Sequence, residues 1–219
     1  MSDAIRVGLV GYGYASKTFH APLISGTPGL ALTTVSSSDA AKVHADWPGA
    51  KVVSAAGELL NDPEIDLVVI ATPNDTHFPL AKAALEAGKH VVVDKPFTVT
   101  LSQARELESL AKHCGRVLSV FHNRRWDSDF LTVRTLIDEG LLGEVCYFES
   151  HFDRFRPQVR QRWREQAGPG TGIWYDLGPH LLDQAVVLFG LPVSITVDLA
   201  QLRPGAQSTD YFHAVLAYP

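Results

Sequence analysis

Apolar runs and amphipathic stretches alternate regularly through the first half of the chain. Ile5–Val10 is a short apolar run, interrupted early by Arg6 and read as a buried strand, and it leads directly into Gly11-Tyr12-Gly13. Leu30–Ser36 is a second strand. Asp39–Trp47 has helical spacing with Asp39 placed as its cap. Lys51-Val52-Val53 is short, and Ala56–Asn61 reads as a brief helix. Asp66–Thr72 and His90–Asp94 are almost wholly β-branched, as strands buried on both faces of a parallel sheet are. Between them, Thr76–Ala87 spaces Phe78, Leu80, Ala81, Ala84 and Leu85 along a helix that stops at Gly88. A helix over Leu101–His113 and a strand over Val117–Phe121 follow. Strands alternating with helices predict parallel βαβ units and an α/β, doubly wound sheet.

The rhythm changes near residue 122. A helix over Trp126–Glu139 ends at Gly140, and Gly143–Phe155 alternates as a long strand does. The loop Gly168-Pro169-Gly170-Thr171-Gly172 precedes a helix from Trp174 to Phe189, and strands over Val193–Gln201 and Asp210–Tyr218 close the chain. Long alternating strands imply an open, mainly antiparallel sheet with one exposed face, hence an α+β domain. The expected division is residues 1–122 and 123–219. The last strand ends at Pro219 without a closing element, so the sheet edge is expected to be covered by another chain or left open in a fragment. In that case Tyr147, Phe148, Phe152 and Val215 would stay partly exposed.

At 219 residues the chain is one large domain or one and a half ordinary ones. With 46% hydrophobic and 20% charged residues it is neither disordered, collagen-like nor a coiled coil. A net charge of -5 removes the basic balance of a general nucleic-acid binder. Cys114 and Cys146 form neither a disulfide framework nor a CxxC knuckle, and read as buried small apolar groups in a reducing compartment. Met1-Ser2-Asp3-Ala4-Ile5-Arg6 lacks a signal-peptide layout, and no run approaches the roughly 20 apolar residues of a membrane span. A cytoplasmic protein is expected, with neither nucleic acid nor membrane as partner.

Four places carry chemistry. In GLVGYGYAS, Gly11 suits a tight turn and Gly13 allows the backbone to approach a pyrophosphate, while Ala15 or Ser16 stands where a third small residue packs helix on strand. The reading is dinucleotide binding by Gly11, Gly13, Tyr14 and Ala15, although glycine turns after strands also occur without a ligand. At the end of the second strand, where an acid would hold a ribose, stand Ser36, Ser37 and Ser38. Ser37, Ser38 and Lys42 suit the 2′-phosphate of NADP, NAD remaining open, and a plain helix cap by Ser38 or Asp39 is the other reading. Asp94-Lys95-Pro96 ends the fifth strand, where ligands of open parallel sheets bind. Asp176, His180 and Asp183 stand at i, i+4 and i+7 of one helix face. They suit a general-base histidine oriented by carboxylates; a metal site would need further ligands, and none is assigned.

The segments GLVGYGYAS, ATPNDTHFPLAKAALEAGKHVVVDKPF, SVFHNRRWDSDF and WYDLGPHLLDQ resemble the family of glucose–fructose oxidoreductases and inositol dehydrogenases, Gfo/Idh/MocA. HNRRWDSDFLT, RWRE and YDLGPHLLDQ are most similar to its NADP-dependent scyllo-inositol dehydrogenases. The resemblance implies an NAD(P)-binding Rossmann domain and a substrate and dimerisation domain whose C-terminal third lies beyond this chain. It also implies a homo-oligomer in the full-length form and hydride transfer between NADP(H) and a polyol or sugar. Lys95 matches the family's motif lysine, and Asp176 and His180 its substrate-binding and proton-removing pair. Thr72, Pro73, Asn74, His77, Asp94 and Pro96 match residues lining the cofactor. Asn123, Arg124, Arg162, Trp163, Arg164 and Tyr175 are implied substrate contacts. The chain departs from the pattern at Ser16, in place of the third glycine, and at Asp94, where Glu is commoner. Other readings under the same resemblance are a different aldose, a bicyclic imine such as biliverdin, and a non-catalytic nucleotide-binding or regulatory protein.

Overall fold

The computed structural model describes residues 4–219; the reading of Met1, Ser2 and Asp3 lies outside the described residues. The chain divides into two compact units, Met1–Phe121 and His122–Pro219.

The first unit is a six-stranded parallel sheet in the order β3-β2-β1-β4-β5-β6. Its strands are β1 (Ile5–Val10), β2 (Leu30–Ser36), β3 (Lys51–Val53), β4 (Leu67–Ile70), β5 (His90–Asp94) and β6 (Leu118–Phe121). The order of succession therefore reverses between β1 and β4, the crevice where such folds bind ligands. Five helices connect the strands: α1 (Ala21–Gly26), α2 (Ala40–Asp46), α3 (Ala56–Leu60), α4 (His77–Glu86) and α5 (Leu101–Cys114). They pack on the sheet as two apolar clusters, one around Val68, Ile70, Leu85 and Val91, the other around Val7, Leu9, Val35 and Val43. Helix α2 starts as expected, the Asp39 carboxylate accepting the Lys42 N–H at 2.9 Å. One element escaped the periodicity. Ser16–His20 forms a π turn that runs into α1, because Pro22 and Gly26 break the apolar spacing there.

The second unit holds α6 (Ser128–Asp138), α7 (Gly172–Phe189) and an antiparallel pair, β7 (Ser194–Ala200) with β8 (Tyr211–Ala217). Trp174 of α7 stacks edge-on against Phe212 of β8, 5.3 Å between centroids. Gly172 is required where α7 meets the hairpin: its φ is +85°, and a Cβ would press on the Thr209 backbone. The long strand expected over 143–155 does not form. Its alternation is that of an extended chain, but a strand needs a neighbour's backbone, and β7 and β8 pair with each other. Tyr147, Phe148 and Val215 are accordingly exposed. Cys146, in the same segment, is exposed and Cys114 half-buried, so neither is the buried apolar group the sequence suggested.

Candidate active site

The turn after β1 is built for close approach. Gly11 has φ +89°, and a Cβ there would lie 2.7 Å from the Ala71 carbonyl oxygen, so only glycine fits. A Cβ at Gly13 would meet nothing within 4 Å, which leaves its outer face open to a ligand. The buried Ser16 donates its Oγ–H to the Gly11 carbonyl at 2.8 Å. The serine standing in place of a third glycine thus closes the turn itself. The first helical bond runs from Lys17 N–H to the Gly13 carbonyl, 3.0 Å, so the amides of Gly13, Tyr14 and Ala15 precede it. Amides at a helix start are the donors that anions take. These residues fit a dinucleotide's phosphates.

Lys42 joins this turn to the end of β2, its ammonium donating to the Tyr12 carbonyl at 3.0 Å. Ser37 Oγ accepts the Asp39 N–H at 3.1 Å, and Ser38 is exposed. Tyr12 is tied from below, its hydroxyl donating to Asp46 at 2.9 Å; burial and that carboxylate push the phenol up to about 12.

At the ends of β4 and β5 the loops are clamped together. His77 is fully buried, with Nδ1 2.8 Å from the Pro96 carbonyl and Nε2 3.0 Å from that of Thr72. The ring is therefore taken up by backbone and fixes both loops. Thr72 and Thr76 hydroxyls meet at 2.6 Å, and Asn74 is buried beside them. Asp94 accepts the Lys95 N–H at 2.7 Å and has His20 Nε2 at 3.6 Å. Burial works to raise its carboxyl, but His20 and the Lys95 amide outweigh it and hold it below the usual carboxylate range. The first unit thus gathers the glycine turn, residues 72–77 and residues 94–96 at the carboxyl ends of β1, β4 and β5.

In the second unit, α7 carries Tyr175, Asp176 and His180. Asp176 lines a cavity of about 300 Å³, and His180, one turn on, is 6% exposed. Asp183 does not join them in a ligand set: Arg125 holds its carboxylate with two bonds of 2.7 and 2.6 Å. Among the described residues no group of three or more His, Cys, Asp or Glu side chains is arranged to hold a metal ion. Asn123 and Arg124 lie in a 3-10 turn, Asn123–Trp126, where Arg124 bonds Asp127 at 2.6 Å and covers the Phe152 ring at 4.8 Å. Arg162 bonds Glu165 at 2.7 Å, and Trp163 lies under the Arg164 guanidinium at 4.3 Å.

The sequence reading missed most of what lines this cavity. Arg154, Arg156 and Arg203 join Arg162 and Arg164 there. Glu165 receives the Arg160 N–H at 3.0 Å as well as Arg162 and Arg203, and Asp210 receives Arg203 Nε at 2.8 Å. Burial would raise both carboxyls; these donors hold them below their ordinary values. A signal was available, since five arginines fall within residues 154–164.

Residues 5–122 match the family described as "Oxidoreductase family, NAD-binding Rossmann fold", and residues 130–219 the "GFO/IDH/MocA C-terminal domain". The chain belongs to the Gfo/Idh/MocA family. It is an oxidoreductase family with a nicotinamide-binding Rossmann fold, as the motifs implied. The chain is 81% identical over its whole length to the uncharacterized oxidoreductase YdgJ of Escherichia coli K12, spanning 63% of that protein. It is 42% identical over 99% of its length to the scyllo-inositol 2-dehydrogenase (NADP(+)) IolW of Bacillus subtilis, spanning 60% of it. The solved structure of YPO2259 from Yersinia pestis superposes with TM-score 0.93 at 74% identity, all of this chain covering 62% of that one. The chain thus spans less than two thirds of each of these three relatives. No helix among the described residues is long and apolar enough to cross a membrane.

Proposed function

We propose that this protein oxidises and reduces a secondary alcohol of a cyclic polyol or sugar with NADP(H), as a cytoplasmic enzyme that is a homo-oligomer in its full-length form. The observation that carries the reading is α7, which presents Asp176 to a cavity and sets the buried His180 one turn behind it, in a family of oxidoreductases. The name of the 42% identical relative supports both the inositol-like substrate and the cofactor. NADP over NAD is supported by the end of β2, where the Asp39 carboxylate is occupied in capping α2 while Ser38 and Lys42 are exposed. When bound, the nicotinamide supplies the site for hydride exchange. His180 takes the hydroxyl proton during oxidation. Lys95, at the end of β5, steadies the charge that develops on that oxygen. Asp176 orients a substrate hydroxyl, and Arg162, Trp163 and Tyr175 form part of the wall.

Lys95→Ala is expected to abolish turnover of scyllo- and myo-inositol while NADPH still binds, as read by kinetics beside a fluorescence titration. Turnover near the wild-type rate would remove Lys95 from the mechanism. Tight NADPH binding with no turnover of any hydroxyl substrate by the wild type would favour the regulatory reading.

A further inference from the structure

The arginines around Asp176 outnumber the acids that could neutralise them. Five guanidiniums line the cavity, those of Arg154, Arg156, Arg162, Arg164 and Arg203, against the carboxylates of Glu165, Asp176 and Asp210. Two acids are spent at its floor: Glu165 binds Arg162 and Arg203 at 2.7 and 3.2 Å, and Asp210 binds Arg203 at 2.8 Å. Asp176 is the remaining acid of the lining, with Arg154 and Arg164 each at 3.6 Å from it. Those distances are too long for hydrogen bonds, so neither contact with Asp176 uses up a guanidinium donor. Arg154 lies over the Phe152 ring at 5.0 Å and Arg164 over Trp163 at 4.3 Å, contacts that restrain both side chains. Arg156 lines the same cavity, where the charges of Arg154, Arg160 and Arg162 act against it and that of Asp176 for it. Burial and those three neighbours lower its proton affinity, the signature of a cation short of a counter-charge. An arginine does not shed its proton in compensation, so the excess charge is permanent.

A permanent positive excess in a cavity of about 300 Å³, on planar guanidinium donors, fits a carboxylate or phosphate. Asp176 forms part of the same wall. We propose that the substrate is an acidic polyol or sugar, a phosphate ester or a sugar acid, whose anionic group is seated by Arg156 with Arg154 and Arg164. This deepens the reading above and rests on it for placing the reacting alcohol at Asp176.

The test compares kcat/KM for myo-inositol, an inositol monophosphate and a hexuronate with NADP+, in the wild type, Arg156→Gln and Arg156→Lys. NADPH binding serves as the check that each variant folds. Inorganic phosphate is titrated calorimetrically into the same proteins. The wild type is expected to favour an acidic substrate over the neutral one by about tenfold or more, the preference falling toward one in Arg156→Gln and partly returning in Arg156→Lys. Which acidic substrate wins separates phosphate from carboxylate. Turnover of myo-inositol with no acidic preference, or a preference untouched by Arg156→Gln, overturns this inference and leaves the reading of the enzyme standing. If no alcohol is turned over, that reading falls, and the titration decides the inference alone. Saturable phosphate binding lost in Arg156→Gln upholds it, and no binding overturns it.

Discussion

Leu9, Val68 and Val91 in the parallel sheet have no exposure at all, whereas Ile195 and Val215 in the antiparallel pair are 48% and 53% exposed. After residue 121 the deeply buried apolar side chains, among the described residues, are Phe130, Leu177 and Ala185. The second unit instead ties its loops with charge: Glu165 gathers donors from Arg160, Arg162 and Arg203, and Asp210 from Leu202 and Arg203. The lesson concerns how each ligand-facing surface is held in place. Loops at the strand ends of the first unit stand mainly on an apolar frame, with the Asp94 carboxylate adding a charged contact at the end of β5. The arginine-lined cavity stands on ion pairs, which salt and acid both weaken.

The largest effect that could break this contrast is a core truncation. Leu9→Ala should cost about 2–5 kcal/mol, whereas Leu199→Ala, at a side chain 45% exposed in β7, should cost under about 1 kcal/mol. Equal losses in chemical denaturation would end the comparison. Next comes Glu165→Ala, which leaves Arg162 without this acid and Arg203 with Asp210 as its remaining one, and should cost about 2–3 kcal/mol. Its melting curve should lose sensitivity to added salt, because the screened interaction is gone.

Function separates from folding at the glycine turn. Gly13→Ala should leave the melting temperature unchanged, since its Cβ meets open space, yet weaken NADPH binding at least about tenfold. Gly11→Ala should cost about 1–2 kcal/mol for its left-handed backbone alone. An unaltered melt for Gly11→Ala, or unaltered NADPH binding for Gly13→Ala, would contradict the geometry described for the turn.

The smallest effect is with pH. Glu165 and Asp210 titrate below their ordinary values of 4.5 and 3.8, so the folded state favours their charged forms. Their contribution is complete above those values and is lost as pH falls through the lowered ones. Asp66, held at about 2 by Arg6, behaves alike in the first unit, but both side chains are over a third exposed and water screens the pair to about 1 kcal/mol or less. Acidification below about pH 4 should therefore change the emission of Trp163 and Trp174 before that of Trp47. Simultaneous changes in single-tryptophan variants would show that the two units share their acid sensitivity.

Local order was plain in the residues. The bounds of β1, β2 and β5 follow from their apolar runs, and Asp39 announces α2. The segment over 143–155 alternates as a strand does but has no strand beside it, and pairing is decided far away in the chain. Long-range contacts hid the rest. His77 meets Pro96 across 19 positions and Arg203 meets Glu165 across 38, so neither the loop clamp nor the cavity floor leaves a periodic trace. Asp176 and His180 were visible by spacing and resemblance. The charge that surrounds Asp176 was visible only as arginine density, and a dense run of charge is ordinarily a solvated surface.

The bond from Ser16 to the Gly11 carbonyl has a consequence for how such turns are specified. A glycine at position 16 would offer only absence of bulk. The hydroxyl is nearly as small and also supplies a latch, so the third place in the fingerprint is a ceiling on volume with room for one donor. Chains that carry serine there belong inside the definition of the motif, and a search that insists on glycine would pass them by.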